Sequence, residues 1–129
     1  MGGAEVPADM HGKAVVPLLK GETPDDWRKS IYYHYYEYPS VHMVPRHYGV
    51  RTEQYKLIYF YQFDEWEFYD LKADPDELQN EYGNEKYAEE IAVCKKELAR
   101  LRKHYDDQSD TGVLPKEWQD KVRNQRAAK

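Results

Sequence analysis

The segment Tyr55–Leu71, "YKLIYFYQFDEWEFYDL", decides how this chain folds. Side chains alternate across a strand, so Tyr55, Leu57, Tyr59 and Tyr61 share one face while Lys56, Ile58 and Phe60 share the other. Both faces are largely apolar, which predicts a strand inside a sheet rather than at its edge. "QFDE" closes a tight turn, and Trp66–Leu71 returns as the next strand. Working upstream, Tyr48–Thr52 is a third strand, and the aromatic run Ser30–Tyr38, stopped by Pro39, is a fourth. Strands joined by short loops pair with their sequence neighbours, which predicts an antiparallel meander of about four strands.

Downstream the period changes. Tyr87, Ile91, Cys94, Leu98, Leu101 and Tyr105 recur at alternating steps of four and three, which predicts a long helix over Glu85–His104 with one apolar stripe against the sheet. The fold class is α+β: a four-stranded antiparallel sheet with one long C-terminal helix packed on it. Between sheet and helix, Asp74 before Pro75 with acidic residues behind predicts a capped single helical turn, and Gly83–Asn84 break the chain. After "DDQSDTG", Pro115 starts a short docked helix with Trp118 as its apolar anchor. Residues 1–28 hold three prolines and four glycines. They read as a connector, in which "AVVPLL" is too short and interrupted for a helix of its own and "ETPDDW" suits a turn or a brief helix. The organisation is therefore connector 1–28, subdomain 29–107 and tail 108–129.

At 129 residues, 40% hydrophobic and 33% charged, the chain has apolar material for one core. Ten of its 13 tyrosines lie between Tyr32 and Tyr69. A net charge of −5 and a pI near 5.5 argue against nucleic acid as a partner, since such binding needs clustered Lys and Arg. No apolar run approaches the ~20 residues that span a bilayer, so no membrane partner is expected. The lone Cys94 excludes an internal disulfide.

His34, His42 and His47 are separated by eight and five residues, which is not a compact metal-ligand motif, and no metal site is assigned. His34 reads as a partly buried sheet histidine. His42 and His47 flank "MVPR", a loop between strands; with Arg46 they offer donors suited to sugar hydroxyls or an acidic group. The acidic run from Asp64 lacks the spacing of a calcium loop. Cys94 lies on the apolar stripe of the helix, so it reads as a small core residue and no catalytic residue is assigned. The tyrosine strands suit either an aromatic platform for sugars or a sheet core. A second aromatic face would expose an apolar patch unless another domain or subunit covered it, and an uncovered face predicts self-association of the isolated chain.

Three segments carry a resemblance. "MHGKAVVPLLKGE" resembles the M-x-G-x-S-L-x-P-L-L stretch that leaves the catalytic core of the type I, formylglycine-dependent sulfatases. "HYGVRTEQYKLIYFY" and "EWEFYDLKADPDELQNEYGN" resemble the R-T-x-x-Y-K-L-I and E-L-Y-D-L-x-x-D-P-x-E-x-x-N patterns of their C-terminal subdomain. The bacterial sulfatases of glycosaminoglycans and related glycans look most similar. The resemblance implies an alkaline-phosphatase-like catalytic domain in the same polypeptide, holding the calcium and formylglycine that this chain would not itself carry. It implies a periplasmic or secreted setting, and a sulfated glycan as substrate. The chain would pack on that domain and help form the substrate pocket through His42, Arg46 and His47, and would be inactive alone. Ala14 stands where the family often has Ser or Thr, and Pro45 where a basic residue is expected. The alternative is a free-standing carbohydrate-binding or protein-interaction module that uses the tyrosine-rich sheet directly.

Overall fold

A computed structural model of the chain describes residues 7, 9–38, 41–42, 44–109 and 112–127. Strands β1 (Ser30–Tyr35), β2 (His47–Thr52), β3 (Tyr55–Phe60) and β4 (Glu65–Asp70) form one antiparallel sheet in the order β1-β2-β3-β4. Around it lie a single-turn helix α1 (Val16–Leu19), a long helix α2 (Ala88–His104) entered through a 3₁₀ turn at Glu85–Tyr87, and α3 (Lys116–Ala127). The expected α+β meander and long helix are thus observed.

The register explains the aromatic pattern. Val50 pairs with Leu57, and Leu57 with Phe68, so three apolar side chains line up beneath α2. All three are wholly buried, together with Tyr48, Tyr61, Cys94, Leu98 and Leu101. Burying each of the larger side chains contributes about 1.5–3 kcal/mol before entropy is counted. The stripe places Tyr87, Cys94, Leu98 and Leu101 on the sheet, with Ile91 and Tyr105 at its margins. Asn84 starts this run by accepting the Lys86 N–H through its side chain at 3.0 Å, and Gly83, at φ 99°, makes the preceding bend. Arg102 closes the other end, donating to the Tyr48 hydroxyl at 2.8 Å with its guanidinium 4.1 Å from the ring centroid.

The opposite sheet face covers much of itself. Tyr33 pairs with Gly49 and lies across it, in space that a side chain at 49 would occupy. Ile58 and Tyr69 are buried, a Lys56–Glu77 ion pair closes the β4 side, and Phe60 lies under α3 in a small cluster of Tyr38, Phe63, Leu114 and Val122. Ile31 is the large apolar residue of this face that stays open, at 52% exposure.

Four local expectations change. β1 ends at Tyr35 because β2 begins opposite it at His47, leaving Tyr36–Tyr38 without ladder partners; Pro39, the expected stop, lies outside the described residues. "VPLL" does form one helical turn, with Pro17 in its first positions, although it buries nothing. Asp74 caps a turn rather than a helix: its carboxylate accepts the Gln79 N–H at 2.9 Å while Glu77 sits at φ 54°, a left-handed conformation that no helix continues through. Trp118 does not anchor α3, keeping 53% exposure beneath Lys121. The helix docks one turn later, where Val122 packs on Phe63 and Arg123 pairs with Glu65.

Candidate functional site

The candidate loop spans 36–46 and joins the ends of β1 and β2. Each leg is tied down. On the outgoing leg Tyr36 stacks on His34, with ring centroids 3.8 Å apart, and Tyr38 is buried in the cluster under α3. On the returning leg Pro45 is fully buried, and the Arg46 N–H donates to the Gln62 side-chain carbonyl at 3.2 Å. Gln62, itself buried, also accepts the Leu114 N–H through its backbone at 2.8 Å, so the β3–β4 turn holds both the loop and the segment leading to α3. Between the legs Val41 and His42 form an exposed turn, Val41 at 92% exposure. Rigid legs with an open tip are the arrangement in which a loop side chain meets a ligand at low entropic cost.

The three residues predicted as donors are placed differently. His42 lies on the exposed turn. Met43 lies outside the described residues. Arg46 is half-buried, and its Nε has no hydrogen-bond partner among the described residues. His47 is not a loop residue: it opens β2, on the face away from α2, where its ring stacks on Tyr35 at 5.4 Å and meets Phe60 at 5.0 Å. Its Nδ1–H donates to the Pro45 carbonyl at 2.8 Å, and burial lowers its pKa, favouring the neutral ring. That leaves Nε2 as an acceptor, so His47 suits a hydroxyl rather than an anion.

A further polar residue, Asp107, binds only other protein groups and gives no signal in the sequence. It lies 73 residues from His34, in the turn that follows α2, where Asp106 adopts φ 51°. Its Oδ2 takes the Tyr32 hydroxyl at 2.5 Å, His34 Nδ1 at 2.7 Å and the Tyr36 hydroxyl at 3.3 Å, while Oδ1 takes both the N–H and the hydroxyl of Ser109. Burial pushes the carboxyl pKa up, but the hydrogen bonds from Ser109, Tyr32 and His34 outweigh it and hold Asp107 well below the usual carboxylate range. His34 Nε2 meets the Tyr61 hydroxyl at 3.3 Å, so both ring nitrogens and one ring face are engaged. The expected partly buried sheet histidine is therefore the centre of a polar network. Beside it a cavity of about 420 Å³ is bordered by His11, Arg28, Tyr36 and Tyr105.

Among the described residues no three His, Cys, Asp or Glu side chains are disposed to hold a metal ion. Cys94 is buried under the sheet with its thiol pushed up to about 11, chiefly by burial, so it makes a poor nucleophile.

The family described as "N-sulphoglucosamine sulphohydrolase, C-terminal" matches residues 1–104. The chain belongs to this family. The domain is 51% identical over 108 residues to the N-acetylglucosamine-6-O-sulfatase of Bacteroides thetaiotaomicron, covering 81% of this chain and 19% of that protein. It is 32% identical over 97 residues to the multifunctional alkaline phosphatase superfamily protein PehA of Trinickia caryophylli. Among solved structures it resembles BT4656 in complex with its substrate D-glucosamine-2-N,6-O-disulfate, at 49% identity and a TM-score of 0.79 over 83% of this chain and 22% of that one. It also resembles BT1596, a 2-O GAG sulfatase, at 26% identity and a TM-score of 0.75 over 88% and 25%. The chain spans about a fifth of the length of the curated relatives it matches. The family match contains the whole candidate loop and ends three residues before Asp107.

Proposed function

We propose that this domain is the C-terminal part of a sulfuric ester hydrolase acting on sulfated glycans, that it packs on the catalytic part of the same polypeptide, and that the 36–46 loop helps wall the substrate pocket. One observation carries the reading: 51% identity to a glucosamine sulfatase over most of this chain, confined to a fifth of that enzyme's length. Sulfate-ester chemistry needs a preorganised metal and nucleophile, whereas choosing the sugar needs peripheral donors on a rigid frame. Calcium and formylglycine would belong to the catalytic part. The loop provides two of the second set, His42 as a donor at the exposed turn and the Arg46 guanidinium for sulfate or hydroxyl, and the first residue of β2 adds His47 Nε2 as an acceptor.

The free-standing module is disfavoured by what the tyrosines do. Of the ten between Tyr32 and Tyr69, Tyr36 alone is exposed; the others pack within the sheet or beneath α2 and α3.

The test is steady-state kinetics of the complete enzyme on a panel of N- and O-sulfated glucosamines. His42→Ala and Arg46→Ala are expected to lower kcat/KM by roughly tenfold each, the loss of about 1.4 kcal/mol of transition-state binding. Unchanged kinetics in both variants would remove the loop from the pocket. Sulfatase activity from this chain alone would overturn the division of labour.

A further inference from the structure

The direction in which the 36–46 loop leaves the sheet is set from outside the loop. Tyr36 is the first residue beyond β1, and at 54% exposure burial does not hold it in place. What holds it is the face of His34, 3.8 Å away, and the carboxylate of Asp107, 3.3 Å from its hydroxyl. His34 cannot turn: Asp107 takes one ring nitrogen, Tyr61 the other, and Tyr48 stands edge-on at 5.4 Å. Asp107 is equally constrained, receiving Ser109 on one oxygen and Tyr32, His34 and Tyr36 on the other. The side chains of His34 and Asp107 are 2% and 8% exposed.

A buried, fully hydrogen-bonded polar pair contributes little net stability beyond what an apolar pair of equal volume would give, but it fixes an orientation that an apolar pair leaves free. The fixed object here is the aromatic plane from which the loop departs. Its other supports, Tyr38, Pro45 and the Gln62 side chain, lie farther along the loop and hold it against the sheet end.

We propose that the His34–Asp107 pair, with Tyr36 stacked upon it, is a positioning unit that sets where His42 and Arg46 stand and thereby which sulfated sugar the enzyme accepts. This rests on the reading of the loop as a glycan contact. Neither His34 nor Asp107 needs to touch the sugar. A displacement of about 1 Å at a binding group can cost up to about a hundredfold, so a modest change in the angle of the loop is enough to discriminate.

The complete enzyme carries the test, with a sulfated glucosamine as one substrate and 4-nitrophenyl sulfate, which has no sugar to select, as the other. Asp107→Asn keeps the volume and weakens the hold on His34. Tyr36→Ala, at an exposed position, folds even where Asp107→Asn does not. Both variants are expected to raise KM for the sugar by roughly tenfold, leaving kcat on 4-nitrophenyl sulfate unchanged. His42→Ala is the control for the underlying reading. If His42→Ala raises the sugar KM and the other two variants do not, the pair is structural and the proposal fails while the loop reading stands. If Asp107→Asn and Tyr36→Ala raise it and His42→Ala and Arg46→Ala do not, the link to these two residues fails. If the sugar and the aryl ester lose activity together, the effect is general loss of fold and the proposal fails.

Discussion

Gly49 is the position at which the smallest chemical change should do the most harm to this sheet. It faces away from α2 in the middle of β2, between Tyr33 on β1 and Ile58 on β3. A methyl group there would stand 2.6 Å from the Leu57 carbonyl oxygen and 2.6 Å from Cζ of Tyr33, and closer still to the Tyr33 hydroxyl. Non-bonded carbons prefer about 3.5–4.0 Å. The ring can swing away, but the carbonyl belongs to the neighbouring strand and moves only if the strands part. Overpacking costs about 1–3 kcal/mol, and the backbone obstacle puts this site at the upper end. Losing the flexibility of glycine in the unfolded chain returns about 0.4–1 kcal/mol. Gly49→Ala should therefore destabilise by about 2 kcal/mol, which lowers Tm by about 7 °C in a chain of this size. Far-UV circular dichroism melts of the two chains measure it. A double-mutant cycle with Tyr33→Ala separates the obstacles: the combined variant should lose less than the sum of the single ones, yet stay below Tyr33→Ala alone because the carbonyl remains. A Gly49→Ala melt within about 3 °C of the parent would refute the steric reasoning. Strict additivity would remove Tyr33 from it.

Two further outcomes follow from groups already described. Asp107 has a folded pKa depressed below its unfolded value near ~3.9, so the stability it provides is present above that value and is lost as pH falls through the folded pKa. The stability gap between the parent and Asp107→Asn, read by urea unfolding, should be constant from about pH 5 to 8 and shrink in stronger acid; a gap that widens below about pH 4 contradicts the assigned sign. In α3, Val122→Ala removes buried carbons and should cost about 1–1.5 kcal/mol, against less than about 0.5 kcal/mol for the exposed Trp118→Ala. Thermal melts that rank them the other way would return the anchor to Trp118.

The meander was legible in residues 55–71 because a strand with two apolar faces has one stable setting, between two others, and Leu57 and Ile58 are both buried as that pattern requires. The stripe of α2 was legible for the same reason: a repeat of 3.6 residues allows one apolar face, and Tyr87, Cys94, Leu98 and Leu101 occupy it. Short elements were harder. "VPLL" and Trp118 were misjudged because a single turn or a frayed tail takes its stability from what it touches, and no local pattern names that neighbour. The loop as a cluster of polar groups could be read from His42, Arg46 and His47, but not that His47 belongs to a strand and turns its Nδ1–H back on Pro45.

By itself the sequence determined what depends on periodicity and on matched motifs: the fold class, the core, the family, and which loop carries unassigned donors. Tertiary structure alone decided which groups meet across the ends of those elements. Asp107 reaches His34 because α2, once packed on the sheet, delivers its following turn to the end of β1. That contact depends on helix length, crossing direction and one left-handed residue acting together, and no spacing along the chain encodes their sum.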